Sequence, residues 1–337
     1  MVRTAVVTKG KAVWAGCALL AVVVIAAPAA GQGQPAAADR GQASTAAPAT
    51  AGPLEAVLQR VPTTAAGTYD VNGPVLEPAP DTARIATLLQ ADVLRGREGT
   101  IRVVVVVGAA APQNVDVRLR VVTAGTPAVA PRIVADAAGS GTPGPMRLVQ
   151  EFSLAPGDYE LEAVVGHPQS GGGLIVAIAK SRLNVPDVRS GSLAVTPIVL
   201  GDAVQAVRRA DNQPFTFGPT ALTPAVSARF PQEGAINLAF RVFNWTREAG
   251  QKPDLTVEYL FYEQGTKGLH FFNKVKPQQL TADTLGASFD PDAGSVAAGM
   301  LIPLGSFTFG EFQLTVRVTD NRSKQTAERQ FRFAVTP

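Results

Sequence analysis

The sequence predicts an all-β protein that contains two tandem β-sandwich domains. Several segments alternate apolar and polar residues with a period of two, which is the pattern of a strand with one buried face. Turn-forming residues, 32 Gly and 26 Pro, punctuate these segments, as expected for many short strands. A weak internal repeat also relates the two halves of the chain, which indicates two copies of one fold.

The N-terminal segment predicts export. Arg3, Lys9 and Lys11 precede an apolar run over residues 12–27, and small residues follow the run. This order is that of a secretory signal peptide, which we place at residues 1–31. The run is shorter than the about twenty residues that a membrane-spanning helix needs. We therefore expect cleavage, with an uncleaved anchor as the alternative.

The rest of the chain divides by composition. Residues 32–60 are rich in Ala, Gly and Pro, and we expect a disordered spacer there. We then expect a first β-sandwich domain over residues 61–202, a linker over residues 203–222 and a second domain over residues 223–337. Cys17 is the only cysteine and lies in the signal peptide, so the mature chain would have no thiol for a disulfide or a metal site.

Three segments illustrate the strands of the first domain. Residues 101–107 (IRVVVVV) form a β-branched run typical of a buried strand. Residues 115–121 alternate apolar with charged side chains, which predicts one buried and one wet face. Tyr159 follows a tight turn at the start of a late strand. A tyrosine in that place often closes the corner of a sandwich by a hydrogen bond from its hydroxyl to the backbone.

The internal repeat pairs two segments of each half. Residues 157–164 (GDYELEAV) match residues 310–317 (GEFQLTVR), and residues 115–119 match residues 255–259, in the same order and at similar spacing. This agreement predicts that both sandwiches share one immunoglobulin-like fold.

Short motifs of the second half suggest a family. They are LTP at 222–224, FRVFN at 240–244, PDLTVEY at 253–259, IPL at 302–304 and VTD at 318–320. Together they resemble the C-terminal β-sandwich region of secreted bacterial von Willebrand factor A-related domain proteins. The resemblance covers about residues 180–337 and implies sandwich architecture and a location outside the cytoplasm. It implies no metal site, because the D-x-S-x-S motif of the name-giving domain has no counterpart in this chain.

The charge of the chain argues against two classes of partner. The formal net charge of +3 falls to zero once the three cations of the signal peptide are removed. Binding to nucleic acid or to an anionic membrane surface depends on an excess of basic residues. We therefore expect no nucleic-acid partner and no basic membrane-surface patch. Since no segment after the signal peptide is long and apolar enough to span a bilayer, we also expect no membrane span in the mature chain.

Few residues are candidates for chemistry. Asp290 and Asp292 lie one residue apart in a loop and are candidate calcium ligands, with a simple acidic turn as the alternative. His167 and His270 fall in different domains, which disfavours a zinc site. No G-x-S-x-G turn is present, so nothing predicts a hydrolase. We expect no cofactor and no catalytic residues.

Five aromatic residues of the second half are candidates for a ligand surface: Phe243, Trp245, Tyr262, Phe271 and Phe272. Aromatic side chains that face solvent on a sandwich often bind sugar or protein. The alternative is that they pack against the first domain.

These expectations describe a non-enzymatic protein-interaction or structural module in the periplasm or outside the cell. Its partner would be an envelope or extracellular protein. The alternative is a carbohydrate-binding module that binds glycan, with calcium held by Asp290 and Asp292. An enzyme with a site between the two domains is a third hypothesis, and it would require a deep pocket lined by acids or by a histidine.

Overall fold

The computed structural model describes part of the chain, and most of that part is β-strand. The described residues are 86–96, 100–111, 116–123, 132–138, 144–168, 174–189, 191–208, 213–247, 252–286, 289 and 294–337. The predicted signal peptide (1–31) and spacer (32–60) lie outside the described residues. None of the described helical segments has the length and apolar character that a membrane crossing requires.

The first half of the described chain contains seven strands. They are β1 (Ala86–Arg95), β2 (Ile101–Ala111), β3 (Asp116–Thr123), β4 (Arg132–Ala138), β5 (Gly144–Leu154), β6 (Gly157–Pro168) and β7 (Leu174–Val185).

The second half contains twelve strands and one helical turn. The strands are β8 (Ala194–Val195), β9 (Val199–Ala206), β10 (Thr216–Phe217), β11 (Thr220–Pro224), β12 (Arg229–Pro231), β13 (Ala235–Phe243), β14 (Asp254–Gly265), β15 (Gly268–Lys274), β16 (Gln278–Thr281), β17 (Ser295–Pro303), β18 (Gly310–Asp320) and β19 (Thr326–Thr336). The turn is α1 (Ala282–Leu285).

The strands form four sheets. Sheet A has the order β1-β2-β5 and sheet B the order β4-β3-β6-β7. Sheet C has the order β10-β11-β9-β13-β17, with β8 beside β13, and sheet D has the order β12-β19-β18-β14-β15, with β16 beside β14. The pairings are antiparallel except for β12 with β19, which is parallel.

The apolar cores show how the sheets stack. One core lies between sheets A and B, a second between sheets A and C, and a third between sheets C and D. The position of β2 between two cores explains why residues 101–107 do not alternate apolar with polar side chains. Val103 and Val105 face the first core, whereas Val104 and Val106 face the second. A strand buried on both faces reads as a continuous apolar run, as this one does.

The predicted linker over residues 203–222 is wrong. This stretch contains the end of β9, all of β10 and most of β11, which belong to sheet C. The passage from sheet B to sheet C is shorter and lies between β7 and β8. The sequence pattern predicted a linker because β10 and β11 are too short to show the two-residue alternation of a strand. In addition, the residues of β9 from Asp202 onward are exposed.

The strand register agrees with the internal repeat. Val117 of β3 pairs with Val165 of β6, and Val257 of β14 pairs with Val318 of β18. These are the pairs that the alignment of the two halves makes equivalent. Strand β7 continues the first set beside β6, and β19 continues the second beside β18. The two halves therefore repeat one arrangement of three neighbouring strands.

Tyr159 closes a corner of sheet B, as predicted. Its hydroxyl donates a hydrogen bond to the carbonyl oxygen of Ala155 at 3.0 Å, across the turn that leads from β5 into β6. Phe312 occupies the equivalent position of the second half and has no hydroxyl. Only the first copy of the repeat therefore has this bond.

Tyr159→Phe is expected to lower the free energy of unfolding by about 1 kcal/mol, because the carbonyl of Ala155 loses its donor. Equilibrium unfolding in urea measures the change. Tyr262→Phe is the matched control, since it removes a hydroxyl from the outer face of sheet D, and we expect a change below about 0.5 kcal/mol. Equal effects of the two substitutions would contradict the role of the corner.

The turn after β18 is held by a buried carboxylate. Asp320 accepts hydrogen bonds from the backbone amides of Thr246 at 2.7 Å, Arg322 at 2.9 Å and Ser323 at 3.4 Å. Burial alone would raise the pKa of Asp320, but these hydrogen bonds outweigh it and hold the pKa at about 2. The carboxylate therefore ties the loop after β13 to the β18–β19 turn.

This depressed pKa predicts loss of stability in acid. The contribution of Asp320 is complete above the ordinary value of 3.8 and is lost as the pH falls through about 2. Between these limits the wild type should lose about 2 kcal/mol more than Asp320→Asn, as measured by urea unfolding over a pH series. Asp283→Asn, at an exposed position of α1, is the control and should follow the wild type. Parallel pH profiles for wild type and Asp320→Asn would refute the assignment.

Sheets A and C are joined by a buried ion pair. The Asp92 side chain of β1 is fully buried, and its two carboxylate oxygens each lie 3.1 Å from a guanidinium nitrogen of Arg241 in β13. Arg241 also donates to the carbonyl oxygen of Thr216 at 2.6 Å, and the amide of Phe215 donates to Asp92 at 2.8 Å. The guanidinium lies 4.7 Å from the ring centroid of Phe217. Both charges are thus partnered at the centre of the stack.

Gln90 adds a second polar tie between the same sheets. Its side-chain nitrogen donates to the carbonyl oxygens of Leu200 at 3.2 Å and Ala225 at 2.9 Å, and its oxygen accepts from the amide of Leu200 at 2.6 Å. Because every one of these groups is buried, sliding sheet A over sheet C would leave several of them unsatisfied. The A–C junction therefore holds the two halves in one orientation.

Candidate functional site

The β14–β15 hairpin presents exposed apolar side chains at one edge of sheet D. Gly265 and Gly268 pair across a two-residue turn. Gly268 has a φ of 111°. This backbone conformation is unfavourable for a residue that has a side chain, so glycine suits this turn. Phe271 is 55% exposed and Leu269 is 41% exposed. Since they lie two residues apart on one strand, their side chains share a face. We call this β14–β15 element the aromatic hairpin.

Tyr262 supports the exposed ring of Phe271. The two residues pair across the strands, and their rings meet edge to face with centroids 5.9 Å apart and an interplanar angle of 81°. Tyr262 lies on the outer face of sheet D, because its neighbour Phe261 points into the core between sheets C and D. Phe271 is therefore held by a fixed partner while much of its ring remains in contact with solvent.

Polar side chains hold the aromatic hairpin near its turn. His270 Nε2 lies 3.1 Å from Glu263 Oε2, and the hydroxyl of Thr308 donates to Glu263 Oε1 at 2.8 Å. In a nucleophilic triad the hydroxyl bonds to the imidazole and the carboxylate orients that imidazole from its far side. Here the hydroxyl bonds to the carboxylate, so this cluster orients the hairpin and does not activate Thr308.

The edge of the hairpin is basic. Lys267, Lys274 and Lys276 are exposed, and residues 267–276 contain no acidic side chain. The lysines flank an apolar centre that includes Leu269 and Phe271. This combination of apolar and basic groups can bind an apolar partner that also carries negative charge.

The structure separates the five aromatic residues predicted to form one ligand surface. Phe243 is 1% exposed and belongs to the core between sheets A and B, which agrees with the alternative that it packs against the first half. Trp245 is 5% exposed, with its ring 6.2 Å from that of Phe289. The expectation of exposure is therefore wrong for both. Each lies at or just after the end of β13, where the stacked sheets close over the strand.

Phe272 also points inward. It is partly buried, and its ring centroid lies 5.1 Å from that of Phe307 and 5.2 Å from that of Phe312. Of the predicted set, the structure brings only Tyr262 and Phe271 together on the outer face of sheet D.

The candidate ligands for metals are not assembled in the described part of the chain. Asp290 and Asp292 lie outside the described residues. His167 lies in β6 and His270 in β15, on different sheets. No group of three or more His, Cys, Asp or Glu side chains suited to a metal ion occurs among the described residues.

Sequence reasoning overlooked several residues of the aromatic hairpin. Leu269 is apolar and exposed. Glu263 contacts His270 and accepts a hydrogen bond from Thr308, which is distant from it in sequence. Leu269 could have been found, because the Gly-Thr-Lys-Gly turn places it two residues before Phe271 on the same face. The contact between Thr308 and Glu263 has no sequence signal, because it joins a loop to a strand 45 residues away.

Comparison with known proteins assigns no family. No protein-family model matches the chain, and no curated protein matches it. The resemblance to the C-terminal region of von Willebrand factor A-related proteins therefore stays a prediction.

Proposed function

We propose that this protein is a non-enzymatic protein-interaction module that acts outside the cytoplasm and binds its partner through the aromatic hairpin. The observation that carries the proposal is the 55% exposure of Phe271, whose ring packs on Tyr262 in a hairpin held near its turn by the contact between His270 and Glu263. A large aromatic side chain presented in this way supplies contact area at low entropic cost. The inner face of the hairpin, through Phe261 and Phe272, packs on the core between sheets C and D.

The proposed architecture is a pair of immunoglobulin-like sandwiches that arose by duplication. Its support is the repeated sheet order. In the first half β4-β3-β6-β7 faces β1-β2-β5, and in the second half β15-β14-β18-β19 faces β9-β13-β17. Corresponding strands occur in the same chain order in both halves. Sandwiches of this kind place binding surfaces on loops and hairpins.

The proposed location rests on the N-terminal segment. Residues 1–31 have the composition of a secretory signal, and the resemblance to secreted von Willebrand factor A-related proteins is part of the same proposal. Periplasm and cell exterior are both compatible with this segment. The partner would accordingly be an envelope or extracellular protein.

Carbohydrate binding is the second candidate, and Phe271 is the observation that favours it. A sugar ring can stack on an exposed aromatic face. The geometry is less suited to an extended glycan, because the Tyr262 and Phe271 rings stand at 81° to each other and do not form a flat platform. We therefore rank protein binding first.

Affinity capture from an envelope extract of the native organism tests the proposal. The full chain should retain a defined protein, identified by mass spectrometry, and Phe271→Ser should lose it. Leu301→Ser is the matched control, because Leu301 is a similarly exposed apolar residue on β17 of sheet C. Retention of glycan alone would favour the second candidate. Equal capture by wild type and Phe271→Ser would overturn the assigned surface.

A further inference from the structure

Strand β15 ends sheet D with an open edge. In the described part of the chain it pairs with β14 only, and it is the last strand in the order of its sheet. In an antiparallel pair, every second residue turns its N–H and C=O groups away from the partner strand. Such groups on an edge strand are a template for one more strand.

The side chains of this edge suit a particular kind of added strand. Proteins commonly protect an edge by placing charges within the strand or by a β-bulge. In β15 the register shifts at Phe272, so the regular ladder next to the turn consists of Gly268–Phe271. Here Lys267 precedes β15, Lys274 ends it and Lys276 follows it, so the centre of the strand keeps Leu269 and Phe271 exposed. An incoming strand would place apolar side chains beside these two residues and acidic side chains near the lysines.

We propose that the open edge of β15 binds an extended, acidic segment of a partner protein by strand addition. This inference rests on the proposed function and names the chemistry of the partner. Strand β15 has seven residues, so at about 3.4 Å per residue a segment of about seven or eight residues would span it. Regular pairing with that segment is expected beside Gly268–Phe271, before the bulge at Phe272. Main-chain hydrogen bonds would supply affinity, and the apolar and basic side chains would supply selectivity.

Charge argues against a second copy of this chain as the occupant. Antiparallel pairing of two β15 strands would bring the lysines of one copy close to those of the other. Like charges that face each other across strands are unfavourable. An acidic segment replaces this repulsion with attraction and also accelerates encounter at low salt.

A peptide titration tests the inference on the full chain. The probe is a fluorescent peptide of alternating glutamate and valine, about eight residues long to match β15, and fluorescence anisotropy reports binding. We expect wild type to bind it, and Phe271→Ser to bind about tenfold more weakly or worse, with Leu301→Ser unchanged. The same peptide with its central amides N-methylated keeps its charge but cannot pair, and it should not bind.

Reversing the charge of the three lysines provides the most specific test of the inference. The triple variant Lys267→Glu, Lys274→Glu, Lys276→Glu changes only exposed side chains, so the fold should persist and circular dichroism can verify it. The triple variant should no longer bind the glutamate–valine peptide, and it should bind a lysine–valine peptide of the same length. This inversion of preference is specific to complementary charge on the β15 edge.

Three results would overturn the inference. One is the absence of glutamate–valine binding at about 1 mM peptide. Another is equal binding of the N-methylated peptide, which would show attraction without strand pairing. The third is sedimentation of the unliganded chain as a dimer that Phe271→Ser dissociates, which would make a second copy the occupant. If capture still depends on Phe271 when the peptide fails, the proposed function survives and only the strand-addition chemistry is rejected.

Discussion

Arg241→Met is expected to lower the free energy of unfolding by about 3 to 5 kcal/mol, because it leaves the fully buried carboxylate of Asp92 without its cation. Among the described residues, Asp92 would keep the amide of Phe215 at 2.8 Å as its one donor, and the carbonyl of Thr216 would lose the guanidinium. Urea unfolding followed by tryptophan fluorescence measures the loss.

Two further variants separate the buried charge from simple loss of an arginine. Arg317→Met removes a cation from the exposed pair with Glu328, and an exposed pair contributes at most about 1 kcal/mol. The double variant Asp92→Leu, Arg241→Met removes both buried charges, and we expect it to regain more than half of the loss. A double variant no better than Arg241→Met alone would show that packing, and not the unpaired charge, accounts for the effect.

Gly108→Ala is expected to destabilise the protein by about 1 to 3 kcal/mol through overpacking at the same junction. A Cβ atom at Gly108 of β2 would lie 2.7 Å from the Cα of Val226 and 2.9 Å from the carbonyl oxygen of Ala225. Both contacts are with backbone, which cannot move aside as a flexible side chain can. The substitution would therefore force sheet A away from sheet C.

Gly305→Ala is the matched control for this prediction. A Cβ atom at Gly305 would meet nothing within 4 Å, so the same chemical change should leave the unfolding midpoint within about 0.5 kcal/mol of the wild type. If Gly108→Ala were as stable as Gly305→Ala, sheets A and C would have room to separate, and the junction would not be rigid.

The strands of the first half show what pattern could and could not predict. The β-branched run at 101–107 correctly indicates a strand, because its side chains fit a pleated surface. Burial on both faces depends on sheet C covering sheet A, and that contact joins residues more than a hundred positions apart, such as Gln90 and Leu200. Local periodicity carries no information about such a contact.

The predicted linker failed for a related reason. Strands β10 and β11 are stabilised by their place beside β9 and against sheet A, where Phe217 and Leu222 are buried. Segments of two and five residues are too short to show a strand period on their own. Composition therefore suggested a connection where the fold has part of a sheet.

The aromatic hairpin was predicted in part. Tyr262 and Phe271 were both among the five candidate residues, and the structure pairs them across one hairpin. Exposure could not be assigned from the same information. Phe243 and Trp245 follow equally apolar strand ends, but the neighbouring layers cover them.

By itself, the sequence determined the all-β class, the corner made by Tyr159 and the segments that repeat between the two halves, because these depend on periods and turns within short segments. The tertiary structure alone decided the stacking of sheet A on sheet C, the partner of Asp92 and which aromatic rings remain in solvent. These features arise where distant segments meet. Whether a side chain is buried, and which charge it pairs with, depends on the contact between two such segments and cannot be read from either segment alone.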